Sequence, residues 1–221
     1  MCIRDRDINL SEVRMAPDYS GESPFEILYG ISGVKSVSED TARLIVAERE
    51  WGGRFTSVYD AVTRCVAAGV NNKTVLVNLA LAGAFDGLEP NRRRVVEAIP
   101  ALLSVGRDES SKGMSLLAAL DVPGEDIFMM PDVEDYSYTD RLGMEADMVG
   151  LYLSGHPMDH ADLSPFGATP LKAVASAASG FGSGTARVVA AVSGIEMRTT
   201  GRGKMCTLHL DDGDGFLSVR L

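Results

Sequence analysis

The sequence predicts a mostly α-helical chain that passes through an acidic linker into a short β-sheet. Three observations predict it. Across residues 30–107 apolar side chains recur at helical spacing, in runs opened by capping residues and closed by glycines. Residues 108–163 carry a net charge of −11, between flanks of +2 on residues 30–107 and +2 on residues 164–221. Beyond residue 185 the apolar residues fall into short runs separated by Asp/Gly turns, as strands do.

The 221 residues are 45% apolar and 24% charged, enough for one or two domains with a real core. No apolar run approaches the ~20 residues of a membrane helix, so no membrane partner is expected. The opening Met-Cys-Ile-Arg-Asp-Arg lacks the apolar stretch of a secretory signal. Cys2, Cys65 and Cys206 lie far apart and form no C-x-x-C pair, against a disulfide scaffold or a zinc ribbon. A reduced, cytoplasmic protein is the expectation. The total charge of −10 would argue against nucleic acid, but its confinement to one segment removes that argument.

Residues 1–24 show no period and read as an irregular leader whose first residues fit nothing that follows. Ser38 caps a helix, with Glu39 and Asp40 in the first turn where the helix dipole favours acids; Gly52-Gly53 stop it. A second helix covers about 56–67. A third starts near Asn72 and ends at Gly83. A fourth runs from about Asn91 to Val105, with Pro100 expected to kink or split it. Residues 108–136 form a polar linker holding one apolar string, Met114-Ser115-Leu116-Leu117. Residues 137–184 begin with a helix capped by Ser137, continue through Gly150-Leu-Tyr-Leu-Ser-Gly-His-Pro-Met-Asp159, and end in a loose Ala/Ser/Gly stretch from 173. Strands are expected at 187–193, 205–210 and 216–221, too few to close a barrel.

Four groups of residues invite a chemical reading. Leu28–Ser38 before one capped helix and Leu79–Phe85 after another read as a pair of helix-hairpin-helix units. Such units present backbone N–H groups that hold phosphate without reading bases. An ordinary corner of a helical bundle is the alternative. The cations near them, Lys35, Arg54, Lys73 and Arg92–Arg94, favour nucleic acid. Asp211-Asp212-Gly213-Asp214-Gly215 suits a hairpin turn better than a cation site. His156, Asp159 and His160 suit a packed loop better than a metal site, since no glutamate stands where a general base would. Gly180-Phe-Gly-Ser-Gly184 lacks the Lys-Ser/Thr of a phosphate loop. No catalytic residue and no metal ligand is assigned.

Asn72-Lys73, Val75-Leu76, Leu79, Ala82-Gly-Ala-Phe-Asp86 and Asn91-Arg92 together resemble a stretch of the alpha subunit of bacterial DNA polymerase III, the family C replicative polymerase. Gly150–Asp159 is similar to the same family's G-x-Y-L-S-G-H-P-hydrophobic-D string, and Tyr29-Gly-Ile, Val34-Lys35 and Gly53-Arg-Phe-Thr-Ser57 fit the region just upstream. The resemblance covers roughly residues 25–221. It implies a tandem helix-hairpin-helix DNA-binding domain over 25–107, a sliding-clamp segment in the linker at Gly113, Met114, Ser115, Leu116 and Leu117, and the opening strands of a truncated OB-fold over 185–221. It implies duplex and single-stranded DNA, the sliding clamp and other replisome subunits as partners. The implied DNA contacts are Lys35, Ser36, Ser38, Arg54, Lys73, Gly83, Arg92 and Arg93. The family is a DNA-directed DNA polymerase, a nucleotidyltransferase, but the palm with its catalytic aspartates and Mg²⁺ lies outside the matched stretch. The segment is therefore expected to position DNA, not to catalyse, and to need no cofactor. One departure stands out: the family's first hairpin reads I-K-G-V-G, and here Ser36 and Ser38 replace the glycines. Serine accepts positive φ poorly.

Two readings compete with this one: a stand-alone metal-dependent hydrolase using His156, Asp159, His160 and Asp211–Asp214, and a pure protein-interaction module built on the acidic linker.

Overall fold

Short polar side chains set where the helices begin. In the computed structural model, which describes residues 2–4, 7–18, 26–112, 128–159, 164–179, 184–201 and 203–221, Ser38 Oγ accepts from Thr41 N–H at the start of α1 (Glu39–Gly52). Ser57 does the same for Asp60 N–H of α2 (Val58–Ala67) and Asn72 for Thr74 N–H of α3 (Lys73–Leu81). Asn91 Oδ1 takes Arg94 N–H of α4 (Arg92–Lys112), and Ser137 takes Asp140 N–H of α5 (Tyr138–Val149). Each bond satisfies one of the N–H groups a helix start leaves without a partner. Gly53 (φ 80) and Gly150 (φ 82) close α1 and α5 in backbone conformations that favour glycine.

The chain divides into two compact units, Met1–Ser154 and Gly155–Leu221. The first has a helical core. Ile45 of α1, Val62 and Cys65 of α2, Leu76 and Leu79 of α3, and Ile99 and Leu102 of α4 are wholly buried in it, with Phe85 from the loop between α3 and α4. Pro100 neither splits nor ends α4, which continues to Lys112. Its ring faces solvent, where the carbonyl it leaves unbonded can take water.

Residues 1–24, expected to be an irregular leader, contribute to this unit. Ile8 is buried and donates its N–H to the Ala84 carbonyl. The Asn9 side chain pairs with both backbone groups of Phe55, and Arg49 holds the Ile8 and Ser11 carbonyls. Strands β1 (Cys2–Arg4), β2 (Ala16–Asp18) and β3 (Glu26–Leu28) form a small sheet in the order β1-β3-β2, parallel then antiparallel. Single anchors and three-residue strands leave no period to read. The helix expected to open a separate 137–184 segment also belongs here, because Leu142 and Glu145 of α5 are buried within the unit.

The second unit holds an antiparallel meander, β4 (Ala191–Thr200), β5 (Gly203–Asp211) and β6 (Phe216–Arg220), and helix α6 (Leu171–Ser179). The first strand lies later than the expected 187–193 and runs to Thr200. The supposed loose stretch from 173 is largely helix, because Leu-Lys-Ala-Val-Ala-Ser-Ala-Ala-Ser is a good helix former. Asp212 Oδ2 also accepts from Leu171 N–H at the first residue of α6. A bulge lies between Val192 and Gly194 of β4. Register puts Ile195 opposite Leu208, Met197 opposite Cys206, Leu208 opposite Val219 and Leu210 opposite Leu217. One face of the sheet is therefore apolar, and at β4 it is open: Ile195 and Met197 are each 64% exposed.

Candidate nucleic-acid interface

The first hairpin, Val34–Ser38, is held from two sides. Asn78 of α3, buried, donates its side-chain amide to the Lys35 carbonyl at 2.8 Å. Lys35 N–H donates to the Met148 carbonyl at the end of α5, also at 2.8 Å. The Tyr29 hydroxyl lies 3.2 Å from both the Gly33 and Val149 carbonyls. With its backbone fixed this way, the hairpin presents Lys35, Ser36 and Ser38 to solvent. Ser36 adopts φ 69. The serine thus holds a left-handed conformation that glycine takes without strain.

The second hairpin is built differently. Gly83 has φ 88, is buried, and donates its N–H to the Ala80 carbonyl. A Cβ there would lie 2.4 Å from Arg92 Nη2 and 3.0 Å from Asp86 Oδ2. Arg92, at the start of α4, is only 2% exposed. Its Nε reaches Asp86 Oδ1 at 2.9 Å, and its Nη2 reaches Asp86 Oδ2 and Glu145 Oε1 at 2.7 Å each. Arg141 joins Asp86 to Asp135. Gly83 and Arg92, expected to touch DNA, are buried here: the glycine makes room for a guanidinium paired with two carboxylates.

That cluster also fixes the Gly150–Ser154 string. Glu145 Oε2 accepts from the N–H groups of Leu153 and Ser154, and Oε1 accepts from the Ser154 hydroxyl. Burial by itself would raise the Glu145 carboxyl. The Ser154 hydroxyl and amide and the Arg92 guanidinium outweigh it and hold the group below its ordinary value of 4.5. For Arg92, burial is likewise outweighed by Asp86 and Glu145, and the cation is strengthened. A carboxyl lowered in the folded state contributes stability that is complete above its unfolded value and is lost as pH falls through its folded value. The melting temperature is therefore expected to drop on acidification below about pH 4.5, measured by circular dichroism. Glu145→Gln should flatten that part of the profile. Identical pH slopes for the two proteins would remove the assignment.

The cations sort into two groups. Arg14, Arg43, Arg49, Arg64, Arg93, Arg94 and Arg141 are in ion pairs within the chain. Arg93, on the exposed side of α4, pairs with Glu97. Among residues 7–107, Lys35, Arg54, Lys73 and Arg107 are exposed and form no ion pair among the described residues, Arg107 donating instead to the Asn71 carbonyl. Sequence spacing can show the local pairs Arg43–Glu39, Arg64–Asp60 and Arg93–Glu97, but not contacts such as Arg92–Glu145, 53 residues apart.

The other candidates resolve into structure. Met158 N–H donates to His156 Nδ1, which leaves the ring proton on Nε2, 3.4 Å from Asp211 Oδ1. Asp159 accepts from His156 N–H. Asp212 Oδ1 accepts from Asp214 and Gly215 N–H in a hairpin turn, with Gly213 at φ 88. Burial would raise the Asp212 carboxyl, but the N–H groups of Leu171, Gly215 and Asp214 keep it lowered. Among the described residues, no three His, Cys, Asp or Glu side chains gather where they could hold a metal ion. Burial, with the Glu48 charge behind it, pushes the Cys65 thiol up to about 12, so it is no nucleophile. No helix among the described residues is long and apolar enough to cross a membrane. The Gly113–Leu117 string and His160 lie outside the described residues.

Residues 1–95 match the helix-hairpin-helix motif family. The chain is 31% identical to DNA polymerase III subunit alpha of Haemophilus influenzae over 222 aligned residues, 97% of this chain and 19% of that protein. It is 35% identical to the protein of the same name from Borreliella burgdorferi over 60% of this chain and 12% of the relative. The Thermus aquaticus protein is 37% identical over 60% of this chain and 11% of its own length. The chain thus spans between about a tenth and a fifth of the relatives it matches. Nothing in these likenesses supports the hydrolase reading.

Proposed function

The chain corresponds to a segment of a DNA polymerase III alpha subunit, and from that premise we propose that its helix-hairpin-helix unit grips the phosphates of duplex DNA without reading sequence. The observation that carries this is that Lys35, Arg54 and Lys73 are exposed and outside ion pairs, whereas every other cation of residues 7–107 except Arg107, which donates to the Asn71 carbonyl, is paired. Ser36 adds a hydroxyl at the first hairpin, Ser38 one that it shares with the cap of α1, and Arg93 a charge shared with Glu97. Contacts of this kind fix register and orientation on the duplex and carry no sequence information.

The same premise extends along the chain. Residues 185–221 form the start of an OB-fold for single-stranded template, a reading supported by the antiparallel meander, its bulge and its open apolar face. Gly113–Leu117, just after α4, is the clamp-tethering string. The segment works in the cytoplasm beside other replisome subunits. It catalyses no nucleotide transfer and binds no cofactor of its own; the expected primer-extension activity of the purified chain is zero.

Titration of a labelled duplex with the 221-residue chain tests the central claim. Affinity should fall steeply between about 50 and 200 mM salt. Changing Lys35, Arg54 and Lys73 together to alanine should lower the salt slope by about one for each lost phosphate contact. Arg43→Ala, whose partners are Glu39 and Asp40, should leave the slope in place. An unchanged slope in the triple variant, or strong preference for one sequence, would refute the phosphate grip.

A further inference from the structure

We propose that Trp51, at the C-terminal end of α1, is a stacking platform for an unpaired DNA base whose phosphate is held by Arg54. The inference rests on the DNA-binding reading above and gives this unit a second, single-strand contact.

Trp51 is the one tryptophan of the chain and is 87% exposed. Helical phase accounts for this. Ala42, Ile45 and Val46 form the buried face of α1, while Trp51 falls on the outer face with Ala47 and Leu44, four and seven residues before it. Open ground flanks the indole. The opening is at Gly53, where a Cβ would meet no heavy atom within 4 Å, whereas the Arg64 guanidinium fills the place of a Gly52 Cβ. Next comes Arg54, exposed and outside any ion pair among the described residues. A flat aromatic face followed three residues later by an uncommitted guanidinium supplies the two groups that a splayed base and its phosphate require.

The end of a helix ordinarily repels phosphate through its bare carbonyls. Here that repulsion is reduced. Arg64 Nη2 donates to the Glu48 and Gly53 carbonyls at 3.0 Å each, and its guanidinium lies 4.6 Å from the centre of the Phe55 ring. Leu44 borders the loop between α2 and α3: its Cδ1 is 3.9 Å from the place a Gly69 Cβ would take. The exposed Asn71, Asn72 and Lys73 therefore follow on from a loop that touches the same outer face. Glu50, also exposed, offsets Arg54, so the free energy of this contact comes mainly from stacking and little from charge. A base inside a duplex stack cannot offer its face to the indole; an unpaired one can. The three-residue stripe is small and bordered by Glu50 and Arg54, unlike the charge-depleted centre of a protein interface.

Because Trp51 is the only tryptophan, its emission reports directly on the contact. Oligo-dT of about 12 nucleotides should quench it to saturation, and a blunt duplex should not. Trp51→Ala should weaken oligo-dT binding about ten-fold at an unchanged salt slope, and Trp51→Phe should keep most of the affinity. Oligo-dT that binds by anisotropy but leaves the indole unquenched would overturn the inference while duplex binding stood. Emission that changes with protein concentration in the absence of DNA would overturn it in favour of contact between copies. Failure to bind any DNA, duplex included, would overturn this inference and the reading beneath it together.

Discussion

Arg92→Ala is expected to destabilise the helical unit by about 3–5 kcal/mol, the cost of removing one member of a buried ion pair. Arg92 is 2% exposed, and its guanidinium spans Asp86 and Glu145 while Nη1 reaches the Leu81 carbonyl at 3.3 Å. Without it, Glu145 loses the guanidinium that balances a charge that is 0% exposed, though the Ser154 hydroxyl and two amides still donate to it. A buried carboxylate that has lost its guanidinium must take up a proton or draw water inward, and either weakens the seat of α4 and α5. At roughly 2–4 °C per kcal/mol for a unit of about 150 residues, the melting midpoint should fall by roughly 6–20 °C. Arg92→Lys restores the charge but not the forked geometry, so it should recover only part. Urea denaturation followed at 222 nm measures both. A loss below about 1 kcal/mol, the range of exposed ion pairs, would show that the cluster is open to solvent.

This cluster marks where sequence reading stopped. The helices were legible because the residue that opens each one acts locally. Ser38, Ser57, Asn72, Asn91 and Ser137 all bind an N–H two or three residues ahead. Hydrophobic phase then placed Ile45, Val62, Leu76 and Leu79 inward. The two hairpins were legible as positions, and the likeness to the polymerase subunit rested on the strings around Ala82–Asp86 and Gly150–Asp159. What each hairpin does with its polar groups was not legible. Arg92 and Arg54 are both arginines in a weakly basic segment. Only the fold puts Glu145 against the first and leaves the second open to solvent.

The N-terminal segment shows the same limit from the other side. Ile8 and Asn9 sit among residues with no period, and their partners, Ala84 and Phe55, are more than 40 residues away. A single apolar anchor and one side-chain amide tie this turn to the helical core, yet neither leaves a pattern. In the second unit, Asp212 was legible as part of a hairpin turn, and two N–H donors hold it there; its third, Leu171 N–H at the start of α6, was not legible.

Gly83→Ala should cost about 3 kcal/mol, more than an alanine usually costs at a turn. Two effects add. At φ 88 an L-residue incurs about 1–2 kcal/mol. The new Cβ would also lie 2.4 Å from Arg92 Nη2, and that guanidinium cannot swing away without leaving Asp86 and Glu145. Overpacking of this sort costs about 1–3 kcal/mol. Ser36 supplies the control. It holds φ 69 at the exposed first hairpin, so Ser36→Gly should change stability by less than about 1 kcal/mol, strain relief being offset by the greater freedom of glycine in the unfolded chain. The steric part of the Gly83 effect depends on Arg92 being present. In the Gly83→Ala/Arg92→Ala double variant the loss should therefore fall short of the sum of the single losses by about 1 kcal/mol or more, the signature of residues in contact. Strict additivity would mean that the alanine acts through backbone conformation alone and that Arg92 does not close the second hairpin.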